Sequence, residues 1–324
     1  MEEPSREARP LGEGVGNYSP SRARQRWSRR KVLALGSGGL VAVIAAGLVG
    51  TELVVHGVLP GQQELDQLDG ACTVSAPPLR FSTLGESISN RFYSRRRRRF
   101  VGYTVAWPPG RRRGDALPLI VMLHGEGGNH ANALAGMSPA QAVALQAGGR
   151  PLPPVALITV DGGRDYWNPH PGDDPLAMIV DEVIPLCRSM NLGRSPNRIG
   201  TMGISMGGYG ALLVAEKYPE LIGAVAAISP AVWTSFSQAR AVNPVAYASS
   251  TDFAADDVVT HASTLAGTPV RVASGLHDPF HPGVVALGQA LPKDAIVEIS
   301  AGCHTGEFFV SQEPPSLEFL ARHL

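Results

Sequence analysis

Short apolar runs alternate with polar, glycine-rich stretches through most of this chain. Residues 117–123 and 155–160 carry no charge and have the length of strands buried on both faces of a sheet. Over residues 174–190, apolar positions recur instead at helical spacing. Buried strands that alternate with helices are typical of an α/β domain with a mostly parallel central sheet and helices on both faces.

The same reasoning predicts the remaining elements of this domain. Strands are expected at residues 100–107, 197–202, 222–228, 269–274 and 295–299, and helices at residues 209–218, 283–291 and 316–324. Residues 229–265 follow no regular pattern and are predicted to form a partly helical lid over the site.

Four regions are predicted along the chain. Residues 1–31 are polar and basic, which predicts a disordered cytoplasmic N-terminus. Residues 32–55 contain an uncharged run about long enough to cross a bilayer as a helix, which predicts a transmembrane or signal segment. Residues 56–94 are predicted to be a linker and the entry to the fold, and residues 95–324 the α/β domain.

Two interpretations of residues 32–55 stay open. The basic residues before the apolar run predict that the N-terminus lies inside and the rest of the chain outside, and the lack of a clear A-x-A cleavage site after the run favours an uncleaved anchor. The sequence at residues 28–33, SRRKVL, instead resembles a twin-arginine export signal, which directs export and does not itself anchor the protein in the membrane. The expected location is therefore the cell membrane, with a single span, or the exterior of the cell.

Composition narrows the classes of function. The chain has 324 residues, of which 44% are hydrophobic, so it is able to bury a core. Its net charge of zero gives no indication of nucleic-acid binding. Cys72, Cys187 and Cys303 allow one disulfide, whose pairing is left open, and Cys187 is expected in the core on a helix. No Cys/His spacing indicates a metal site.

Five consecutive arginines, Arg95 to Arg99, precede the strand predicted at residues 100–107. A solvated turn or strand start is the first interpretation of this run. Contact with an anionic lipid or envelope surface is the alternative.

The pattern G-x-S-x-G occurs between a predicted strand and a predicted helix, as GISMG at residues 203–207. A sharp strand-to-helix turn of this kind exposes a serine beside a helix N-terminus, where developing negative charge is favoured. A side chain at either glycine would collide with the turn. We therefore expect Ser205 to be a nucleophile.

A serine nucleophile needs a base that takes its proton and a carboxylate that orients the base. In one arrangement of such sites, the acid and then the histidine follow the serine, each just after a strand. Asp278 and His304 satisfy this order, so the predicted triad is Ser205, Asp278 and His304. Asp256 and Asp257 are rival acids, but they lie in the predicted lid rather than at a strand end.

Two further loops are expected to complete the site. The glycine-rich loop after residues 117–123 lets backbone N–H groups approach a substrate oxygen, which predicts an oxyanion hole formed by Met206 and by Gly125 or Glu126. The polar, aromatic loop after residues 155–160 lies where open α/β sheets bind ligands. Its candidate substrate-binding residues are Asp161, Tyr166 and Trp167.

Taken together, residues 98–322 resemble the putative-esterase branch of the α/β hydrolases, which includes esterase D-like enzymes and the mycobacterial mycolyltransferase antigens. The matching pieces are LHGEGGN, GISMGGYGA, GLHDPF and AGCHTGEFF. The resemblance implies an α/β-hydrolase fold, carboxylic-ester chemistry through a Ser205 acyl-enzyme, and no metal or organic cofactor. The implied substrate is a small-molecule or lipid ester.

Two alternatives to ester hydrolysis stay open. An acyltransferase that acts on envelope glycolipids would use the same acyl-enzyme and pass the acyl group to an alcohol instead of water. A non-catalytic envelope-binding protein would keep the hydrolase scaffold without turnover, although the filled triad positions argue against it.

Overall fold

The computed structural model describes residues 70–76, 78–194 and 199–324. The predicted N-terminal tail and the transmembrane or signal segment, residues 1–31 and 32–55, lie outside the described residues. Within the described ranges, no helix combines the length and the apolar character that a membrane crossing needs.

Ten strands and eight α-helices are found among the described residues. The strands are β1 (Ser87–Ser94), β2 (Arg99–Ala106), β3 (Leu119–Leu123), β4 (Gln146–Ala147), β5 (Arg150–Pro151), β6 (Ala156–Val160), β7 (Ile199–Ile204), β8 (Ala224–Ile228), β9 (Val270–Gly275) and β10 (Ile296–Ser300). The α-helices are α1 (Pro139–Val143), α2 (Pro175–Met178), α3 (Ile184–Ser189), α4 (Met206–Lys217), α5 (Phe236–Val242), α6 (Ser250–Ala255), α7 (His281–Ala290) and α8 (Gly306–His323). A π-helical turn at Ile179–Val183 joins α2 to α3, and a 3₁₀ helix spans Ala262–Leu265.

Eight of these strands form one sheet, in the order β1-β2-β6-β3-β7-β8-β9-β10. The six strands from β6 to β10 in this order are parallel, whereas β2 is antiparallel to both β1 and β6. A central strand of such a sheet is apolar at every position because both of its faces are covered, and every residue of β3, β6 and β8 is buried. The predicted mostly parallel sheet is confirmed.

Two apolar layers, one on each face of the sheet, form the core. Successive residues of β3 point to opposite faces, so that Leu119, Val121 and Leu123 join one layer and Ile120 and Met122 join the other. The first layer also contains residues of α2, α3, α4 and α7, and the second contains residues of α1 and α8. Helices therefore cover both faces, as the sequence predicts.

The sheet begins earlier than the sequence analysis predicts. Strand β1 lies within residues 56–94, which were expected to be a linker and the entry to the fold. It is an edge strand, and only Ile88 and Phe92 pack against the core, so it lacks the continuous apolar run of a central strand. A disulfide between Cys72 and Cys303 also ties this upstream segment to the loop after β10.

The last helix is longer than the predicted residues 316–324. Helix α8 begins at Gly306, where the Thr305 side chain accepts a hydrogen bond from the backbone N–H of Phe308. Pro314 and Pro315 lie inside the helix and suggest a later start, because proline disfavours a helix interior. Burial of one face of α8 against the sheet outweighs this local preference.

The helix predicted over residues 174–190 is present as α2, the π-helical turn and α3. Ile184 donates its backbone N–H to the carbonyl of Ile179, five residues earlier, directly before Pro185, which has no N–H to donate. Cys187 lies on α3 and is fully buried, and burial raises the pKa of its thiol to about 12. The prediction that Cys187 is a core residue on a helix is confirmed.

The arginine run forms the turn between β1 and β2 and the start of β2. Arg97 is buried and binds Asp173 with two nitrogens, at 2.6 Å and 3.0 Å. Arg99 contacts the same carboxylate at 2.7 Å, and Arg96 contacts Asp181 at 2.5 Å. Three of the five arginines therefore form ion pairs with acidic residues of the same domain. These pairs favour the first interpretation of the run, a turn and strand start.

Candidate active site

The predicted strand-to-helix elbow is formed by β7, Ser205 and α4. Ser205 has a φ of +56°, an uncommon conformation for a residue other than glycine, and it comes directly before the first turn of α4. A Cβ atom at Gly203 would collide with the backbone of Gly207, and one at Gly207 would collide with the backbone of Leu123. Neither position has room for a side chain, so both must be glycine, as the motif predicts.

The other two predicted triad residues lie on loops after neighbouring strands. Asp278 follows β9, and its side chain is fully shielded from solvent. His304 follows β10, and its ring packs edge to face against Phe280 and Phe309 at centroid distances of 5.2 Å and 5.0 Å. Because β9 and β10 are parallel neighbours, their carboxyl-terminal loops meet at the same edge of the sheet.

One chain of hydrogen bonds joins Ser205, His304 and Asp278. The Nδ1 atom of His304 lies 2.8 Å from Oδ2 of Asp278 and therefore carries the ring proton of the neutral imidazole. Its Nε2 atom accepts from the Ser205 hydroxyl at 2.9 Å. The second carboxylate oxygen of Asp278 accepts from the backbone N–H of Phe280 at 2.8 Å, which fixes the orientation of the carboxylate. This arrangement is able to remove the proton of the serine hydroxyl.

The glycine-rich loop after β3 lies against the elbow. A Cβ atom at Gly125 would come within 3.3 Å of the Ile204 carbonyl oxygen and 3.6 Å of the Ser205 Cβ atom, so glycine allows the close approach. Gly125 and Glu126 line the same pocket as Ser205 and His304. Met206 is the first residue of α4, where a backbone N–H has no carbonyl partner within the helix. Backbone donors from these positions are thus available beside the serine hydroxyl.

His124 fixes the orientation of this loop, a role that the sequence analysis does not assign to it. Its Nδ1–H donates to the Gly125 carbonyl at 2.7 Å, and its Nε2 atom accepts from the backbone N–H of Gly162 at 2.8 Å. His124 is fully buried, and burial lowers the pKa of its imidazole, which keeps the ring neutral. In a trans peptide the carbonyl and the following N–H point in opposite directions, so the bond to Gly125 also orients the N–H of Glu126.

A pocket of ≈ 480 Å³ opens above the serine. Its walls are mostly apolar and include three aromatic residues that the sequence analysis does not assign to substrate binding, Trp233, Phe280 and Phe309. Trp233 and Val242, the latter at the end of α5, are the contributions of the predicted lid to this lining. These residues are far apart in sequence, and only the folded chain brings them together. Among the described residues, no cluster of three or more His, Cys, Asp or Glu side chains is suited to hold a metal ion.

One of the three predicted substrate-binding residues lines the pocket. Tyr166 lies in its wall and is 3% exposed, and burial raises the pKa of its hydroxyl above the ordinary value. Tyr166 and Trp167 both have positive φ angles, +54° and +60°, a strained conformation that is often found at functional sites.

The other two predicted substrate-binding residues do not line this pocket. Trp167 is fully buried, and its ring packs over Gly162 and Gly210, so it supports the loop from within. The carboxylate of Asp161 accepts from the backbone N–H groups of Gly102 and His130 and lines a different cavity. A polar, aromatic loop at a strand end predicts a site but not which of its side chains point toward the ligand.

Comparisons with known proteins agree with this fold. A model of the putative esterase family matches residues 96–282. A ferulic acid esterase of known structure is 16% identical, with a TM-score of 0.60, over 74% of this chain and 100% of that chain. An S-formylglutathione hydrolase from Agrobacterium tumefaciens is 15% identical, with a TM-score of 0.58, over 78% of this chain and 100% of that chain. A fluorophosphonate-binding serine hydrolase from Staphylococcus aureus is 14% identical, with a TM-score of 0.58, over 74% of this chain and 99% of that chain.

These structural similarities, at such low identities, show the α/β-hydrolase fold alone. The search of curated proteins returned no match.

Proposed function

Because the chain belongs to the putative esterase family, we propose that it is a serine carboxylic-ester hydrolase with the triad Ser205, His304 and Asp278. The observation that supports this proposal most directly is the hydrogen-bond chain from the Ser205 hydroxyl through both ring nitrogens of His304 to the Asp278 carboxylate. An ordinary tight turn would not need a buried carboxylate and a correctly oriented imidazole at this distance.

In the proposed reaction, the Ser205 oxygen attacks the ester carbonyl while His304 Nε2 takes the hydroxyl proton. Asp278 holds the imidazole in the correct tautomer and stabilises the imidazolium. The backbone N–H groups of Met206 and Glu126 would then donate to the negatively charged oxygen of the tetrahedral intermediate. His304 returns the proton to the leaving alcohol, and water hydrolyses the acyl-enzyme in the reverse sequence of steps.

The pocket indicates the kind of acyl group that the enzyme would accept. Its volume of ≈ 480 Å³ and its apolar, aromatic walls favour an apolar or aromatic acyl chain over a charged one. Burial of such a chain contributes about 25 cal/mol for each Å² of apolar surface that leaves water.

We further propose that the enzyme acts outside the cytoplasm. The Cys72–Cys303 disulfide supports this location, because structural disulfides persist in oxidising compartments. Alkylation of protein taken directly from cells tests it: only Cys187 should be free of a disulfide, and three free thiols would contradict the proposed location.

The catalytic proposal is tested with the full-length chain and p-nitrophenyl esters of increasing acyl length. Replacement Ser205→Ala should lower kcat by at least about 10,000-fold, because the nucleophile is lost while the fold is kept. A matched control, Ser263→Ala, replaces an exposed serine outside the pocket and should leave turnover unchanged. Equal turnover by wild type and Ser205→Ala would rule out the serine mechanism. Product analysis with an added alcohol separates hydrolysis from acyl transfer.

A further inference from the structure

A second cavity, of ≈ 460 Å³, lies between the β1–β2 hairpin and the loops that follow β3 and β6. It shares no lining residue with the catalytic pocket. Its walls include Ser89, Arg91, Phe100, Gly102, His130 and Asp161. The proposed ester chemistry assigns no role to this cavity.

The two cavities are neighbours because the same two loops contribute to both. The loop after β3 supplies Gly125 and Glu126 to the catalytic pocket and His130 to the second cavity. The loop after β6 supplies Tyr166 to the catalytic pocket and Asp161 to the second cavity. A ligand in the second cavity would therefore lie at the carboxyl edge of the sheet, beside the proposed catalytic pocket.

Hydrogen bonds hold the walls of this cavity in place. The Asp161 carboxylate accepts from the backbone N–H of Gly102 at 3.0 Å and from that of His130 at 2.7 Å. The Thr104 hydroxyl is bonded to His130 Nδ1 at 2.9 Å and to the Ser89 hydroxyl at 2.8 Å. A Cβ atom at Gly102 would collide with the His130 ring, so the ring packs directly on the strand. A site that is fixed in this way loses little conformational entropy when a ligand binds.

The side chains combine a flat apolar surface with both kinds of hydrogen-bonding group. The Phe100 ring is 64% exposed, and the Arg91 guanidinium lies 5.1 Å from its centroid. Arg91 and the Ser89 hydroxyl are donors, and the His130 Nε2 atom has no hydrogen-bond partner among the described residues. The Asp161 carboxylate retains acceptor capacity beyond its two backbone bonds.

This combination fits a neutral polyhydroxylated ligand better than an anion. A sugar ring presents an apolar C–H face to an aromatic ring and hydroxyl groups that both donate and accept. A phosphate or sulfate would be attracted by Arg91 but repelled by the Asp161 carboxylate in the same wall. We propose that the second cavity is a binding site for a neutral saccharide, adjacent to the catalytic pocket. Its link to ester chemistry rests on the proposed function, whereas its saccharide affinity does not.

The experiment measures binding rather than turnover. Purified full-length protein carrying Ser205→Ala is applied to an array of neutral glycans, and the best soluble oligosaccharide is titrated by calorimetry. Binding that survives Ser205→Ala keeps this proposal separate from the catalytic one. Vesicles that contain anionic phospholipid serve as the competing probe, because the nearby arginines suit such a surface as well.

Phe100→Ala and Arg91→Ala, each added to Ser205→Ala, should weaken oligosaccharide binding roughly 2- to 10-fold, because the first removes an aromatic contact and the second a hydrogen-bond donor. The matched control Arg111→Ala removes an exposed arginine that lies outside the cavity and should leave binding unchanged. Both cavity residues are exposed, so these substitutions are compatible with folding. Absence of glycan binding, equal binding by all three variants, or binding to anionic vesicles alone would each overturn the proposal.

Discussion

Glu216 is a buried carboxyl group on α4, the helix that follows the nucleophile elbow. It is 6% exposed, and neither of its carboxylate oxygens has a hydrogen-bond partner among the described residues. Burial, together with the nearby negative charge of Asp257 and against the opposing effect of Lys217, raises the pKa of this group to about 9. The folded protein therefore keeps Glu216 neutral, whereas the unfolded chain ionises it near the ordinary carboxyl pKa.

This difference predicts a pH-dependent stability. Because the folded-state pKa is the higher one, the folded form binds the proton more tightly, and the contribution of Glu216 is fully present below about pH 4.5. Between about pH 4.5 and pH 9, the free energy of unfolding should fall by up to about 1.4 kcal/mol per pH unit from this group.

Replacement Glu216→Gln should remove this pH dependence, because glutamine does not ionise. Thermal unfolding of wild type and variant at pH 5, 7 and 9 measures the effect, and the variant should gain stability relative to wild type as the pH rises. The matched control Glu220→Gln changes an exposed carboxylate and should leave the slope unchanged. Parallel pH profiles for wild type and Glu216→Gln would contradict the assignment.

At the scale of single residues, the sequence selects three residues that the structure joins by hydrogen bonds, but it does not select the side chains that line the pocket around them. Chain order and strand ends select Ser205, Asp278 and His304, since each must follow a strand at the same edge of the sheet. The roles of His124 and Trp167 depend on which groups face them across the fold, and spacing along the chain carries no such information. The position of His124 directly after a buried strand and before a glycine was the available signal.

The loop after β3 is the element on which the proposed oxyanion hole depends. His124 holds the Gly125 carbonyl, which also accepts from the backbone N–H of Gly128 at 3.0 Å. If the His124 bond is lost, the Gly128 bond alone holds the peptide between Gly125 and Glu126, and the Glu126 N–H points less reliably toward the developing charge. His124 is thus a positioning residue that does not itself touch the reacting atoms.

His124→Leu should lower kcat by about 100-fold with little change in KM, since a misplaced oxyanion donor affects the transition state more than the bound ester. His124→Asn should restore part of the rate, because its amide also carries an N–H donor and a carbonyl acceptor. Steady-state kinetics with one p-nitrophenyl ester, together with melting temperatures, measure both variants. Equal losses in His124→Leu and His124→Asn at matched stability would contradict this positioning role.

The sequence predicts the secondary-structure elements whose residue pattern favours a single structure. It misses elements, or parts of elements, whose residues favour different structures. Strands β3 and β6 are apolar at every position because they are central, and their sequences show it directly. Strand β1 is mostly exposed at the sheet edge, and α8 contains two prolines, so tertiary packing decides both elements. The order β6-β3-β7 is likewise a tertiary property that apolar patterning does not encode.

At the scale of the whole molecule, the Cys72–Cys303 disulfide links residues that are separated by 231 positions. Both cysteines are buried, and Cys303 comes directly before His304. The disulfide therefore connects the segment that precedes the sheet to the loop that holds the proposed base. The sequence allowed this pair, but three cysteines alone did not distinguish it from the two pairings that use Cys187.

The paired substitution Cys72→Ser and Cys303→Ser should destabilise the protein by about 2–5 kcal/mol, because the cross-link lowers the entropy of the unfolded chain across a long loop. It should also lower kcat, since the loop that carries His304 loses an anchor beside the ring. Reductant provides the control within the wild-type protein: it should lower the melting temperature of wild type toward that of the double variant and leave the double variant unchanged. A wild-type melting temperature that does not respond to reductant, with thiol alkylation confirming that the bond is reduced, would show that packing alone holds this segment in place.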